Sequence, residues 1–291
     1  MRQFSFMQQP IPTNLKQKLA IAQNFSKVAA AYDEAAVLQQ EIGRRLLERL
    51  DLIKFSPSTI LDLGSGTGFF SKALSQKYSR AIVLNADIAE GMVNFAKHNH
   101  PTLEQFFLCA DGDYLPIKSQ SVDFVFSNCA LHWFFSPQSI FKEIHRILKP
   151  EGLLLFSTLG PDTLKELRMC FKILENKEAE NPFIDMHDIG DMLLQEGLID
   201  PVMDMENITL TYKNIKELLN DLKLTGSNHL HTLSYDPITP DCFNRLSTLY
   251  EKYKNVEQRL PATFEVIYGH AWRSEYAITE DCRRIPLTLE T

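Results

Sequence analysis

The stretch Leu61-Asp-Leu-Gly-Ser-Gly-Thr-Gly68 constrains this chain more than any other. It closes a short apolar run at 59–63 and is followed by a helical pattern over 69–78. Alternating glycines let the backbone turn sharply and pass close to a ligand, and the helix behind them presents free N–H groups. The same alternation continues downstream. Apolar runs at 81–86, 105–109, 122–127 and 153–158 read as strands, helical patterns fill 90–98 and 138–148, and a turn is expected at 149–152. Strands separated by helices of this length predict an α/β fold with a parallel, doubly wound sheet. The near-continuous apolar character of the strands fits a sheet covered on both faces.

Two helices precede this unit. The first, over 15–31, has Leu15, Leu19, Ala22, Phe25 and Ala29 on one face; the second, over 34–52, has Val37, Leu38, Ile42, Leu46 and Leu50. Beyond residue 158 the alternation breaks into helices at 163–176 and 186–196, a strand at 204–212, helices at 214–224 and 240–254, and a last strand at 263–268. The two late strands are expected to complete the sheet. The predicted organisation is a mobile segment 1–13 and one domain over 14–291, with an N-terminal helical lid at 14–55 and a helical insertion at about 213–258.

Hydrophobic residues make up 44% and charged residues 23% of the chain, which excludes wholesale disorder. No apolar run is long enough to span a membrane, and the N-terminus lacks the pattern of a secretory signal or an organelle presequence, so no membrane role is expected and the cytoplasm is the expected location. The five dispersed cysteines fit reduced thiols, with Cys109 and Cys129 expected as small core residues. Neither they nor the scattered histidines have metal-site spacing, so no metal is expected. Residues 1–150 carry 16 Lys+Arg against 13 Asp+Glu, while the remainder carries 14 against 24. Without a basic stripe a nucleic-acid partner is not expected, and an acidic partner should meet the first half.

Asp87 ends the second strand, 19 residues after Gly68, where a carboxylate accepts hydrogen bonds from ribose hydroxyls. A dinucleotide fingerprint needs glycine at position 69, and Phe69 stands there. The GxGxG form, preceded by Asp62, resembles the S-adenosylmethionine loop of class I methyltransferases. That resemblance implies S-adenosylmethionine as cofactor, S-adenosylhomocysteine as product, and binding residues Asp62, Gly64, Ser65, Gly66, Gly68, Asp87, Ile88, Met92, Asp111, Gly112, Asp113 and Asn128. Asp111, with Asp113 as its neighbour, would face the adenine amino group, and a backbone N–H there would read a ring nitrogen. His132 and Trp133 leave the fourth strand at the carboxyl edge of the sheet, where ligands of such folds bind.

Residues 24–33 (Asn24-Phe-Ser-Lys-Val-Ala-Ala-Ala-Tyr-Asp33), the segment Ser157-Thr-Leu-Gly-Pro-Asp-Thr-Leu-Lys-Glu-Leu-Arg168, and those over 183–191 and 200–212 are similar to the malonyl-[acyl-carrier protein] O-methyltransferase family of biotin synthesis. Ser65 stands where that family commonly has cysteine. The resemblance implies methyl transfer to the free carboxylate of malonyl-acyl carrier protein, or of malonyl-coenzyme A; a monomer is expected. Arg168 is expected to anchor the carboxylate through a bidentate fork. Tyr32 is expected to reach the cofactor or substrate from a segment folded over the cofactor, and His132 and Trp133 to wall the pocket. A basic docking face for the carrier is expected at Arg44, Arg45 and Arg49, with the neighbourhood of Arg283 and Arg284 as the alternative. The alternatives are another small-molecule methyltransferase of this architecture and a methyltransferase-like assembly factor of respiratory complex I that hydroxylates arginine.

Overall fold

The computed structural model describes residues 13–99, 105–175, 181, 183–226 and 239–275. Residues 1–12 of the expected mobile segment 1–13, together with Cys282, Arg283 and Arg284, lie outside the described residues, while Thr13 opens the first helix. One sheet has the order β3-β2-β1-β4-β5-β7-β6, with β1 Thr59–Leu63, β2 Ile82–Asp87, β3 Gln105–Cys109, β4 Val122–Ser127, β5 Leu148–Leu159, β6 Leu198–Tyr212 and β7 Leu260–Arg273. The first five are parallel, while β7 runs antiparallel between β5 and β6. The two late strands therefore complete the sheet as expected. Because β2 and β4 flank β1, the chain winds outward in both directions from β1, and a crevice opens at its carboxyl end.

Each strand feeds both faces. Ile60, Phe124, Leu153 and Leu155 point into one core, with Leu38, Ile42 and Leu46 of α2 (Val37–Arg49), Leu74 of α3 (Phe69–Lys77) and Leu167 of α6 (Lys165–Glu175). Leu218 and Leu222 of α8 (Ile215–Leu224) and Leu246 of α9 (Pro240–Tyr250) extend it. Leu61, Val125 and Leu154 point the other way, onto Ile140, Ile144 and Ile147 of α5 (Pro137–Ile147) and Ile189 and Leu193 of α7 (Met186–Gln195). At roughly 25 cal/mol per Å² of apolar surface removed from water, this double burial is the main force holding the layers together.

The N-terminal helix, α1 (Thr13–Ala35), runs further than expected and leaves only Ala36 before α2. Its buried face also differs. Leu15 and Leu19 are exposed, while Ile21 and Ala29 are buried and Phe25, Val28 and Tyr32 pack toward Ala89 and Met92 of α4 (Glu90–Asn99). Helix α1 packs on α4 and borders the cavity, so its inward face runs through Ile21, Phe25, Ala29 and Tyr32 and not through Leu15 and Leu19. Val37, expected on the apolar face of α2, is 65% exposed.

The turn expected at 149–152 sits inside β5 as an irregularity. Leu148 pairs with Val122 and Leu153 with Phe124, and Glu151 takes φ +59°. Strands β6 and β7 are longer than their patterns indicate. Strand β6 is the sheet edge, so half-exposed positions interrupt its apolar run, and Pro201 lies at the register shift between Ile199 and Val202. Cys109 is exposed, not a core residue as expected. Among the described residues no helix is long and apolar enough to cross a membrane.

Candidate cofactor and substrate site

The glycine loop is held against β2. The N–H groups of Gly64 and Ser65 both donate to the Ala86 carbonyl, at 2.8 and 3.1 Å. Gly64 and Gly66 have φ of +73° and +54°, and Gly68, at +81°, caps the N-terminus of α3. A Cβ on Gly64 would lie 2.4 Å from that of Ala130, whereas one on Gly66 would meet nothing within 4 Å. The backbone at Gly66 therefore faces open space.

Asp87 fastens this loop to the start of α4. Its Oδ2 accepts the Gly66 N–H at 2.9 Å and its Oδ1 the Ala89 N–H at 2.8 Å, so each oxygen retains acceptor capacity. Burial raises its pKa, and the backbone N–H bonds oppose that shift. Asp62 lies beneath the loop, 2% exposed, and accepts the Ser71 hydroxyl at 2.5 Å. Burial pushes its carboxyl up to about 7.

One cavity runs from this loop in two directions. Toward one end it is lined by Ile88, Met92, Asp111 and Gly112; toward the other by Asn128, Cys129, His132 and Trp133. Tyr32 and Phe25 of α1 and Gln39 of α2 also line it. Asp62 and Ser65 border a smaller cleft that shares Tyr32, Gln39, Gly64, Gly66 and Asn128 with the main cavity. The Ser65 hydroxyl and Gln39 Oε1 are buried without a hydrogen-bond partner.

At the Asp111 end the structure adds a residue that sequence reasoning missed. Lys18 of α1 binds Asp111 at 2.6 Å and Asp113 at 2.5 Å. Burial opposes its charge, but the two carboxylates outweigh burial and raise its pKa. Asp111 lines the cavity; Asp113 lies beside it, its N–H bonded to Asp111 Oδ1 at 3.1 Å. Gly112 leaves room for the Phe134 ring, 2.4 Å from where a Cβ would sit.

At the other end, Trp133 meets the Phe25 ring edge-on at a centroid distance of 5.1 Å, and His132 Nδ1 lies 3.5 Å from the Thr158 hydroxyl. Asn128 donates to the Gln39 carbonyl at 3.0 Å and accepts the Ser157 hydroxyl at 2.8 Å, tying α2 to β5 at the cavity wall. Burial first, then the nearby Cys129, Asp87 and Asp33, raises the Tyr32 pKa, so its hydroxyl stays a neutral donor. Cys129, expected in the core, lines the cavity in a left-handed conformation at φ +52°. Burial pushes its thiol up to about 12, which removes it as a nucleophile. A spacing of 18, 21, 25, 29 and 32 would have found Lys18 and Phe25; no sequence signal marks Gln39 or Cys129.

Arg168 is not brought to this cavity. Its Nε donates to the Thr163 carbonyl at 3.0 Å and its Nη2 to the Pro161 carbonyl, and burial lowers its pKa. The guanidinium braces the turn between β5 and α6, so the expected carboxylate anchor is corrected to a backbone brace. The expected basic docking face is neutralised too. Arg44 pairs with Glu41 and Glu48, Arg45 with Glu41 and Glu206, and Arg49 with Asp204.

The donor set fits S-adenosylmethionine. The carboxylate of Asp87 can take ribose hydroxyls, the space at Gly66 admits a ligand against the backbone, and the unpaired Gln39 Oε1 can accept from an ammonium group. Fold and loop together define a class I methyltransferase domain. A family model for a methyltransferase domain matches residues 61–156. The fold is shared with the YcgJ protein of Bacillus subtilis (TM-score 0.58, 15% identity, covering 80% of this chain and 100% of that one). It is shared also with phosphoethanolamine N-methyltransferase 2 of Haemonchus contortus in complex with S-adenosylmethionine (TM-score 0.51, 19% identity, 79% and 52%). The chain belongs to the malonyl-[acyl-carrier protein] O-methyltransferase family. It is 45% identical to the Gallionella capsiferriformans member over 91% of this chain and 93% of that one. The figures are 41%, 88% and 89% for Laribacter hongkongensis, and 36%, 87% and 90% for Legionella pneumophila.

Proposed function

We propose that this chain transfers the methyl group of S-adenosylmethionine to the free carboxylate of malonyl-acyl carrier protein, masking the charge at the start of pimeloyl synthesis for biotin. The observation that carries this reading is the single cavity joining the glycine loop and Asp87 to Tyr32, His132 and Trp133. Bound S-adenosylmethionine supplies an electrophilic methyl group.

The chain's task is placement. Asp87 and the loop backbone hold the ribose and methionine portions, while Asp111 and the Gly112 backbone face the adenine. A carboxylate is already ionised at neutral pH, so the acceptor needs no general base. The absence of a nucleophile–base pair among the cavity-lining residues suits that demand. Tyr32, kept neutral, donates a hydrogen bond to one carboxylate oxygen, and His132 stands near the other. Trp133 and Phe25 exclude water, which strengthens these contacts and keeps the acceptor oxygen unsolvated.

The free thiols of Cys109, Cys129, Cys170 and Cys242 support a reducing, cytoplasmic setting. Labelled S-adenosylmethionine incubated with malonyl-carrier protein should place label in a base-labile methyl ester. Label on the carrier polypeptide itself, or none with any malonyl thioester, would sink the reading.

A further inference from the structure

A second cavity adjoins the methyl-transfer cavity. Leu38, Gln39, Thr225 and Phe264 line both, and the second extends past Leu210, Thr211 and Tyr212 of β6 and Leu222 of α8 to Val37. Val37 is 65% exposed, so this side reaches the surface between the α1–α2 junction and α8. The cavity's other end is latched by Lys18 across Asp111 and Asp113.

We infer that this passage receives the pantetheine arm of the malonyl thioester; the inference rests on the methyl-transfer reading above. A malonyl group on a carrier protein is tethered, so the carrier stays outside and a narrow, extended arm must bring the carboxylate in. Phe25, which meets the Trp133 ring edge-on at 5.1 Å, also lies against Gly226 beside Thr225, so the second cavity adjoins the Trp133 end. Its walls suit the arm's chemistry. Leu38, Leu222 and Phe264 offer apolar surface to methylenes, and the buried, unpaired Gln39 Oε1 stands at the junction as an acceptor for a donor entering from either cavity. The polar groups of the outer wall are engaged with one another. Tyr212 donates to Asp221 at 2.6 Å, and Thr211 Oγ1 accepts Arg259 Nε at 2.8 Å. The wall is thus preformed, and the one carboxylate that lines it, Asp221, is held by the Tyr212 hydroxyl.

The test uses Val37→Trp, whose exposed position spares folding, with Thr225→Leu as a second obstruction at the throat. Methyl transfer is measured to malonyl-carrier protein, malonyl-coenzyme A and malonyl-N-acetylcysteamine, whose arm is too short to fill the passage. For Val37→Trp, kcat/KM on both long-armed substrates should fall at least about tenfold relative to the short thioester, with the S-adenosylmethionine Kd unchanged. Thr225→Leu should reduce transfer to all three, again with the cofactor Kd unchanged. Equal rates for wild type and Val37→Trp on all three would overturn the passage while leaving the reaction standing. A Val37→Trp loss confined to the carrier protein would mean that the rim meets the carrier surface, and would overturn the arm assignment. A wild-type chain inactive on all three would overturn the reaction itself, and the occupant with it.

Discussion

At the scale of single residues, the two glycines flanking Ser65 have separable roles. Both need left-handed backbone, which costs an L-residue about 1–2 kcal/mol. Gly64 also abuts Ala130, while Gly66 faces open space. Gly64→Ala is therefore expected to lower thermal stability more, and Gly66→Ala to weaken S-adenosylmethionine binding more than it lowers the melting temperature. Calorimetric titration and thermal unfolding on the same samples separate the two, and equal effects at both positions would contradict the assignment. Asp87→Ala removes a charged acceptor worth about 1.5–3 kcal/mol per hydrogen bond, so cofactor affinity should fall at least about tenfold.

At the scale of elements, β1 and α3 are joined through Asp62 and Ser71 inside the core. The folded-state pKa of Asp62, about 7, lies above its ordinary 3.8. Between those values the unfolded chain has released this proton while the folded chain keeps it. Its contribution to stability is full below pH 3.8, falls as pH rises, and is gone above pH 7. Asp62→Asn, which retains an acceptor for Ser71, should flatten the decline in melting temperature over that interval. Parallel profiles for the two proteins would show that Asp62 does not titrate there.

At the scale of the molecule, α2 is locked to the outer strands by charge. Arg45 and Arg49 reach Glu206 and Asp204 of β6, and the Arg49 guanidinium lies 3.8 Å from the centroid of the Tyr268 ring of β7. That stacking contributes roughly 0.5–2 kcal/mol. Reversing both arginines to glutamate would set like charges against Asp204 and Glu206. The melting temperature should fall by several degrees, and any loss of kcat/KM should be equal on malonyl-coenzyme A and malonyl-carrier protein. A loss specific to the carrier would restore this face as a docking site.

The sequence by itself determined the sheet and the glycine loop that leaves β1. Glycine backbone freedom, Asp87 at a strand end and the apolar runs of β1 to β5 are local properties, written within a few neighbouring residues. Strand period and turn chemistry also placed His132 and Trp133 at the carboxyl edge. What only the tertiary structure decided are contacts between residues far apart in the chain. Lys18 meets Asp111 across 93 positions, and Arg45 meets Glu206 across 161. A basic residue in a sequence carries no mark of whether a carboxylate will neutralise it, so the Arg44–Arg49 cluster read as a docking face. Arg168 likewise read as an anchor, because its bonds to the Pro161 and Thr163 carbonyls depend on how the turn after β5 folds back. Periodicity reports which face of a helix is apolar, but the exposure of Leu15, Leu19 and Val37 was decided by where α1 and α2 end against the sheet.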